Sequence, residues 1–173
     1  MNATAKEELT IIKIGDFDHN YMNEEGINEW FRYVGYFIRD GFAKIQRADG
    51  LQNYIDRQGN ILSNEWFKLV GDFDEYGVAL IQRGDGKWNF ITKHGKLLSN
   101  EWFMWVDDFF EGFARVKRFD SSMNYINKDG KILSKEWFRY VYYFDEYDLA
   151  VVYRTNGEKC KIDKTGKIVS IIK

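Results

Sequence analysis

Ser63-Asn64-Glu65-Trp66-Phe67 decides how this chain is built, because its last three residues occur four times. Glu29-Trp30-Phe31, Glu65-Trp66-Phe67, Glu101-Trp102-Phe103 and Glu136-Trp137-Phe138 set tryptophans at 30, 66, 102 and 137, in steps of 36, 36 and 35 residues. A fixed period of that length marks a repeat architecture and outranks any local reading of secondary structure.

Working outward, unit one runs over residues 29–64, unit two over 65–100, unit three over 101–135 and unit four from 136 on. Residues 1–10 read as a polar lead and 11–173 as one repeat domain. Ahead of unit one, Asn20-Tyr21-Met22-Asn23-Glu24-Glu25-Gly26 overlays Asn53-Tyr54-Ile55-Asp56-Arg57-Gln58-Gly59, but its connection to Trp30 is three residues shorter than in later units. An atypical first unit is expected of a capping repeat, and Ile168-Val169-Ser170-Ile171-Ile172 reads as a further partial unit.

Three pieces recur. Trp-Phe-x-x-Val-x-x-Phe (Trp66, Phe67, Val70, Phe73) fits either a short strand or a single helical turn. Gly-x-Ala-x-Val, as in Gly77-Val78-Ala79-Leu80-Ile81, has the two-residue period of a half-buried strand. Asp148 stands in place of that glycine in unit four, and aspartate tolerates a left-handed turn position. The third piece follows Asp49-Gly50, Asp85-Gly86 or Asn156-Gly157 and is a strand such as Asn89-Phe90-Ile91. Asp-Gly and Asn-Gly between alternating segments signal hairpins. A second turn such as Asp56-Arg57-Gln58-Gly59 has the type I pattern.

The expected fold is therefore all-β: about four hairpin repeats of 35–36 residues with partial end caps. A lone pair of five-residue strands is marginal in water, so each unit must bury its rings against the next. Aromatics make up 18% of the residues, each ring worth roughly 4–6 kcal/mol gross at about 25 cal/mol per Å². The expected arrangement is an open, solenoid-like stack, with a closed propeller-like ring as the alternative.

Net charge is −2, with 25 basic and 27 acidic residues interspersed, which predicts neither nucleic acid nor a membrane surface as partner. The lone Cys160 excludes an internal disulfide, and the polar N-terminal stretch has no apolar segment behind it, so a cytoplasmic location is expected.

Phe-x-x-Gly-Phe-Ala-x-Val, then Gly86-Lys87-Trp88-Asn89-Phe90-Ile91-Thr92-Lys93-His94-Gly95-Lys96-Leu97-Leu98-Ser99, then Glu101-Trp102-Phe103, resembles the WG (KWG) repeat of bacterial proteins. The name-giving Trp-Gly dipeptide stands here only as Trp88-Asn89. The resemblance covers roughly residues 11–173. It implies an all-β array that acts as a binding or interaction module, with no catalytic residue to carry over.

Stacked units place equivalent residues in columns. Arg47, Arg83, Arg118 and Arg154 could hold an anionic ligand, or be neutralised locally by Asp49, Asp85 and Asp120. Asn20, Asn53, Asn89 and Asn124 suit a structural row satisfying amides within the β stack, with Cys160 as the buried small residue of that column. Trp30, Trp66, Trp102 and Trp137 are expected in the core, whereas Trp88 and Trp105 break the pattern and are the aromatic contact candidates. The acidic turns could do glycosidase chemistry or hold calcium, but residues repeated in every unit read as solvated turn charges, and His19 and His94 form no recognised metal pair. The reading is a non-enzymatic module without cofactor or metal, whose partner is another protein. A small-ligand or glycan-binding module using Trp88, Trp105 and the arginines is the alternative.

Overall fold

The computed structural model describes the backbone of residues 10–14, 18–23, 26–39 and 41–172, and side chains from residue 31 onward within those spans. The lead expected over residues 1–10 lies outside them apart from Thr10, which already begins a strand, and so does the Trp30 side chain. Among the described residues there is no helix, and the strands form five small antiparallel sheets in chain order. These are β1 (Thr10–Ile14), β2 (Asp18–Asn23) and β3 (Gly26–Phe31), then β4 (Tyr33–Val34), β5 (Phe42–Gln46) and β6 (Gln52–Asp56). Next come β7 (Leu69–Val70), β8 (Val78–Gln82) and β9 (Trp88–Thr92), then β10 (Trp105–Val106), β11 (Phe113–Lys117) and β12 (Met123–Asn127). The last sheet holds β13 (Tyr140–Phe144), β14 (Leu149–Tyr153), β15 (Lys159–Asp163) and β16 (Ile168–Ile172).

Each sheet is thus one meander, and the ambiguous Trp-Phe-x-x-Val piece is divided between two of them: Phe67 pairs with Gln52 at the outer edge of one sheet, and Leu69–Val70 opens the next as a short strand. The turns follow the expected chemistry. Gly50, Gly86 and Gly157 have φ of 84–88°, and Asp148 takes the left-handed position with φ 58°. The missing residue in unit three also has a structural meaning. Phe110 and Phe113 exchange two backbone hydrogen bonds around Glu111 (φ 49°) and Gly112 (φ 83°), a two-residue turn with both φ positive where unit two uses the longer Asp74–Gly77 loop.

The outer edge of each internal sheet explains Ser63-Asn64-Glu65. Ile61 pairs with Ile55 and Phe67 with Gln52, so the run 61–67 spans only 52–55 and Ser63–Glu65 loops out of the ladder. The buried Asn53 closes that excursion. Its Nδ2 donates to Ser63 O (2.7 Å) and Glu65 O (2.9 Å), while Ser63 Oγ accepts from the Glu65 amide (3.1 Å). Asn89 and Asn124 repeat the clip on Ser99/Glu101 and Ser134/Glu136. At Asn53, Asn89 and Asn124 the asparagine column is therefore structural as expected, but it bonds the backbone of its own unit's outgoing run; the Asn20 side chain lies outside the described residues. In unit four Cys160 cannot make this clip, and β16 pairs with β15 from Lys159↔Ile172 to Ile162↔Ile168 with a single register shift.

The core lies in the seams. Tyr54, Ile38, Phe42 and Leu62 of unit one pack with Phe67, Val70, Phe73, Ala79 and Ile81 of unit two and reach Trp102 of unit three. One expectation needs correction: the phenylalanine of each Trp-Phe pair is the core residue. Phe67, Phe103 and Phe138 are 0% exposed, whereas Trp66, Trp102 and Trp137 are half-buried at the core margin. Adjacent residues on an extended run point to opposite faces, so only one of the two rings can enter the seam. The second turns of units two, three and four also dock on the preceding unit. A Cβ added at Gly95, Gly130 or Gly166 would lie 2.1, 1.9 or 2.3 Å from the carbonyl oxygen of Leu62, Leu98 or Leu133.

Candidate functional site

The four arginines do form a column, and the next unit's tryptophan lies beneath three of them. Arg47 sits over Trp66 (4.6 Å to the ring centroid), Arg83 over Trp102 (4.5 Å) and Arg118 over Trp137 (3.6 Å). Every fork also meets a carboxylate. Arg47 pairs with Asp49 and Arg83 with Asp85 (2.7 Å), and these hydrogen bonds hold both aspartates below the ordinary carboxylate value. Arg118 turns instead to Glu101 through two bonds (2.5 and 2.8 Å), and Asp120 hydrogen-bonds Ser122. Arg154 reaches Glu136 (2.7 Å) and Glu158 (2.7 Å), and the Glu136 bond raises its pKa. Local neutralisation thus operates throughout, half of it through the glutamate before each tryptophan. Through their tryptophan stacks Arg47, Arg83 and Arg118 clamp one unit to the next.

Of the two off-pattern tryptophans, Trp88 is half-buried against Phe103 and Val106, while Trp105 is 38% exposed. Trp105 belongs to a column the sequence reading passed over. Tyr33 (52%), Leu69 (39%), Trp105 and Tyr140 (42%) each open the first strand of a unit, directly before a buried valine. Their common position three residues after Trp30, Trp66, Trp102 and Trp137 was visible in the sequence, but differing side chains hid it. At unit four the surface widens: Tyr140 and Tyr142 lie 4.9 Å apart, and Tyr142 and Tyr153 6.3 Å apart.

A cleft opens beside this column at each of three seams. The first (≈ 290 Å³) is lined by Tyr33, Tyr36, Lys44 and Tyr54 of unit one and Asp72 of unit two. There Lys44 Nζ meets Asp72 Oδ1 at 2.9 Å, and Tyr54 Oη donates to Gly71 O (2.7 Å). Burial raises the Tyr54 phenol above its ordinary value, with the Asp72 charge adding to it. The second (≈ 190 Å³) is lined by Gly71, Leu80 and Phe90 of unit two with Asp108 and Phe109 of unit three, joined by Asp72, Asp74 and Val78. The third (≈ 310 Å³) lies between Asp107, Asp108 and Phe110 of unit three and Tyr143 of unit four. Here Arg115 binds Asp107 (2.6 Å) and stacks on Tyr143 (3.8 Å), whose hydroxyl donates to Asp107; that hydrogen bond raises the Tyr143 pKa.

Cys160 is fully buried, and desolvation raises its thiol, so it lacks the thiolate character of a nucleophile.

No protein-family model matches the chain, and no curated protein matches it. Solved structures do overlay on it. The computationally designed Ika8 protein is 11% identical, with 98% of this chain and 60% of that chain covered and a TM-score of 0.37. BamB from Moraxella catarrhalis is 10% identical, with 97% and 59% covered and a TM-score of 0.37. The WD40 β propeller domain of Doa1 is 12% identical, with 96% and 68% covered and a TM-score of 0.35. The chain spans about three fifths of the length of the first two of these structures.

Proposed function

We propose that this chain is a non-enzymatic interaction module of the WG-repeat type, an open stack of β units that docks on another protein through its first-strand column. The observation that carries this reading is the run of large exposed apolar side chains, Tyr33, Leu69, Trp105 and Tyr140, at one register position of four successive units. Large exposed apolar side chains repeated at one position mark an interaction site, and tyrosine and tryptophan are enriched where interfaces take most of their energy. The arginines serve the same surface indirectly, by holding the units that carry it in line.

An open stack is favoured by unit four. Its seam face carries Val151 and Lys161 as a cross-strand pair, where units one to three carry Lys44/Tyr54, Leu80/Phe90 and Arg115/Tyr125. Replacing the seam ring by a lysine gives that face the polar character of a capping repeat.

The test uses p-benzoylphenylalanine in place of Leu69, Trp105 or, on a turn away from the column, the exposed Lys128. Illumination in cell extract should yield the same crosslinked protein from positions 69 and 105 and none from 128. Equal products from all three, or none from the first two, overturns the reading. For the protein so identified, Trp105→Ala combined with Tyr140→Ala should weaken binding by about a hundredfold, two anchors at about 1.4 kcal/mol each.

A further inference from the structure

The three seams are built on one plan, and the middle one lacks a part. Lys44, Leu80 and Arg115 occupy the same place in β5, β8 and β11, each paired across the hairpin with an aromatic residue: Tyr54, Phe90 or Tyr125. In the next unit the residue facing them is Asp72, Asp108 or Tyr143. In the first seam Lys44 lays its ammonium on Asp72. In the third, Arg115 lies over the ring of Tyr143 and binds Asp107. In the middle seam the cation is replaced by Leu80, and the Asp108 carboxylate has no cationic partner among the described residues.

The walls fit the missing part. Three carboxylates and no basic side chain line the cleft, with Phe90 and Phe109 as its aromatic floor, 4.9 Å apart. Two of those carboxylates are already engaged: Asp72 holds Lys44, and Asp74 Oδ1 accepts from the Tyr76 (2.9 Å) and Val78 (3.1 Å) amides. Gly71 contributes no side chain where unit three places Asp107. At about 30 Å³ per water, the ≈ 190 Å³ cleft has room for roughly six, enough for an extended alkylamine. A carboxylate beside aromatic faces attracts an ammonium by both ion pairing and cation–π interaction.

We infer that the cleft between units two and three receives a lysine side chain of the partner protein, its ammonium on Asp108 in the way Lys44 sits on Asp72. This rests on the interaction-module reading and names the chemistry its central seam selects. The partner is a protein whose docking segment presents a lysine flanked by apolar residues, the latter meeting Leu69 and Trp105 on either side.

The probe is a fluorescein-labelled octalysine peptide, titrated into the full chain at physiological ionic strength, where long-range surface attraction is screened. Asp108→Asn should weaken binding about tenfold. Asp120→Asn removes the same charge from an exposed turn and should leave affinity within about twofold, since its contribution is surface electrostatics alone. Leu80→Lys installs the internal cation of the first seam; it should weaken the peptide as much as Asp108→Asn while keeping the melting temperature of the parent chain, which shows that the variant folds. Equal losses in Asp108→Asn and Asp120→Asn, or undiminished binding to folded Leu80→Lys, overturns the assignment. Should the crosslinks from positions 69 and 105 persist while these peptide results fail, the interaction surface stands and only the lysine seat is lost.

Discussion

Units two and three differ from unit four at the point where a unit hands the chain on. In the internal units an asparagine clips a loop out of the outer strand, and that detour delivers a tryptophan to the preceding arginine and a phenylalanine to the seam. In unit four the asparagine is Cys160, the outer strand β16 stays on the ladder with a single register shift, and among the described residues Arg154 holds carboxylates without a tryptophan. The difference teaches that propagation is encoded by a buried amide as much as by the rings it positions. Without the amide the strand takes the ordinary ladder, because two loose backbone carbonyls cannot be left unpaired in the interior.

The strongest attempt to break this comparison is at the docked turns, which units two, three and four share. Gly130→Ala places a methyl 1.9 Å from Leu98 O at φ 79°, adding about 1–3 kcal/mol of overlap to about 1–2 kcal/mol of left-handed strain. Gly86→Ala, with nothing within 4 Å, should show only the strain term in urea unfolding. Gly166→Ala should resemble Gly130→Ala, since unit four docks backward like the others even though it does not hand forward; an effect as small as that of Gly86→Ala would show that its docking differs.

Next in size is the clip. Asn124→Ala leaves the Ser134 and Glu136 carbonyls without their donor and should cost roughly 2 kcal/mol in equilibrium unfolding. Cys160→Ala removes only a small buried thiol and should cost about 1 kcal/mol, in the range of modest core truncations. Equal costs would dissolve the distinction between the two kinds of unit.

A smaller effect tests the arginine ladder. Arg118→Ala removes a stack on Trp137 and a two-bond contact with Glu101, and should lower stability by about 0.5–1 kcal/mol, read as roughly 2–3 °C in melting temperature. Arg154→Ala loses partly exposed ion pairs but no tryptophan stack in the described structure, and should lower the melting temperature by less than Arg118→Ala, by about 1 °C.

The mildest test is acid. Unit four holds two turn aspartates lowered from 3.8, Asp145 chiefly by the Leu149 amide and Asp163 chiefly by the Thr165 hydroxyl. Units one to three hold one each among the described residues: Asp49, Asp85 and Asp120. A lowered native value stabilises the fold above the unfolded value of 3.8, and that contribution is lost as pH falls from there through the native values. Hydrogen exchange followed downward from pH 5 should therefore show β14–β16 losing protection before β11 and β12, whose turn holds Asp120 alone. Simultaneous loss would mean that turn carboxylates do not set the order.

Much of the fold was legible because a repeat announces which residues are equivalent. The hairpin turns, the strand alternation and the left-handed position of Asp148 follow from local chemistry alone. The site was less legible. The arginine column was visible, but its tryptophan partners lie a unit away, and the choice between Asp49-type and Glu101-type neutralisation depends on which carboxylate the seam brings closer. The exposed column was hidden because a tyrosine, a leucine and a tryptophan share a position without sharing a side chain.

What the sequence determined by itself is the period and the turn types, since each rests on residues adjacent in the chain. What only the tertiary structure decided is direction: that Phe67 enters the seam while Trp66 stays at its margin, that Asn89 ties down its own outgoing run, and that Leu80 stands before Asp108 where Lys44 stands before Asp72. A period states which residues correspond, but the face of a pleated strand that meets the next unit is chosen by how two units pack.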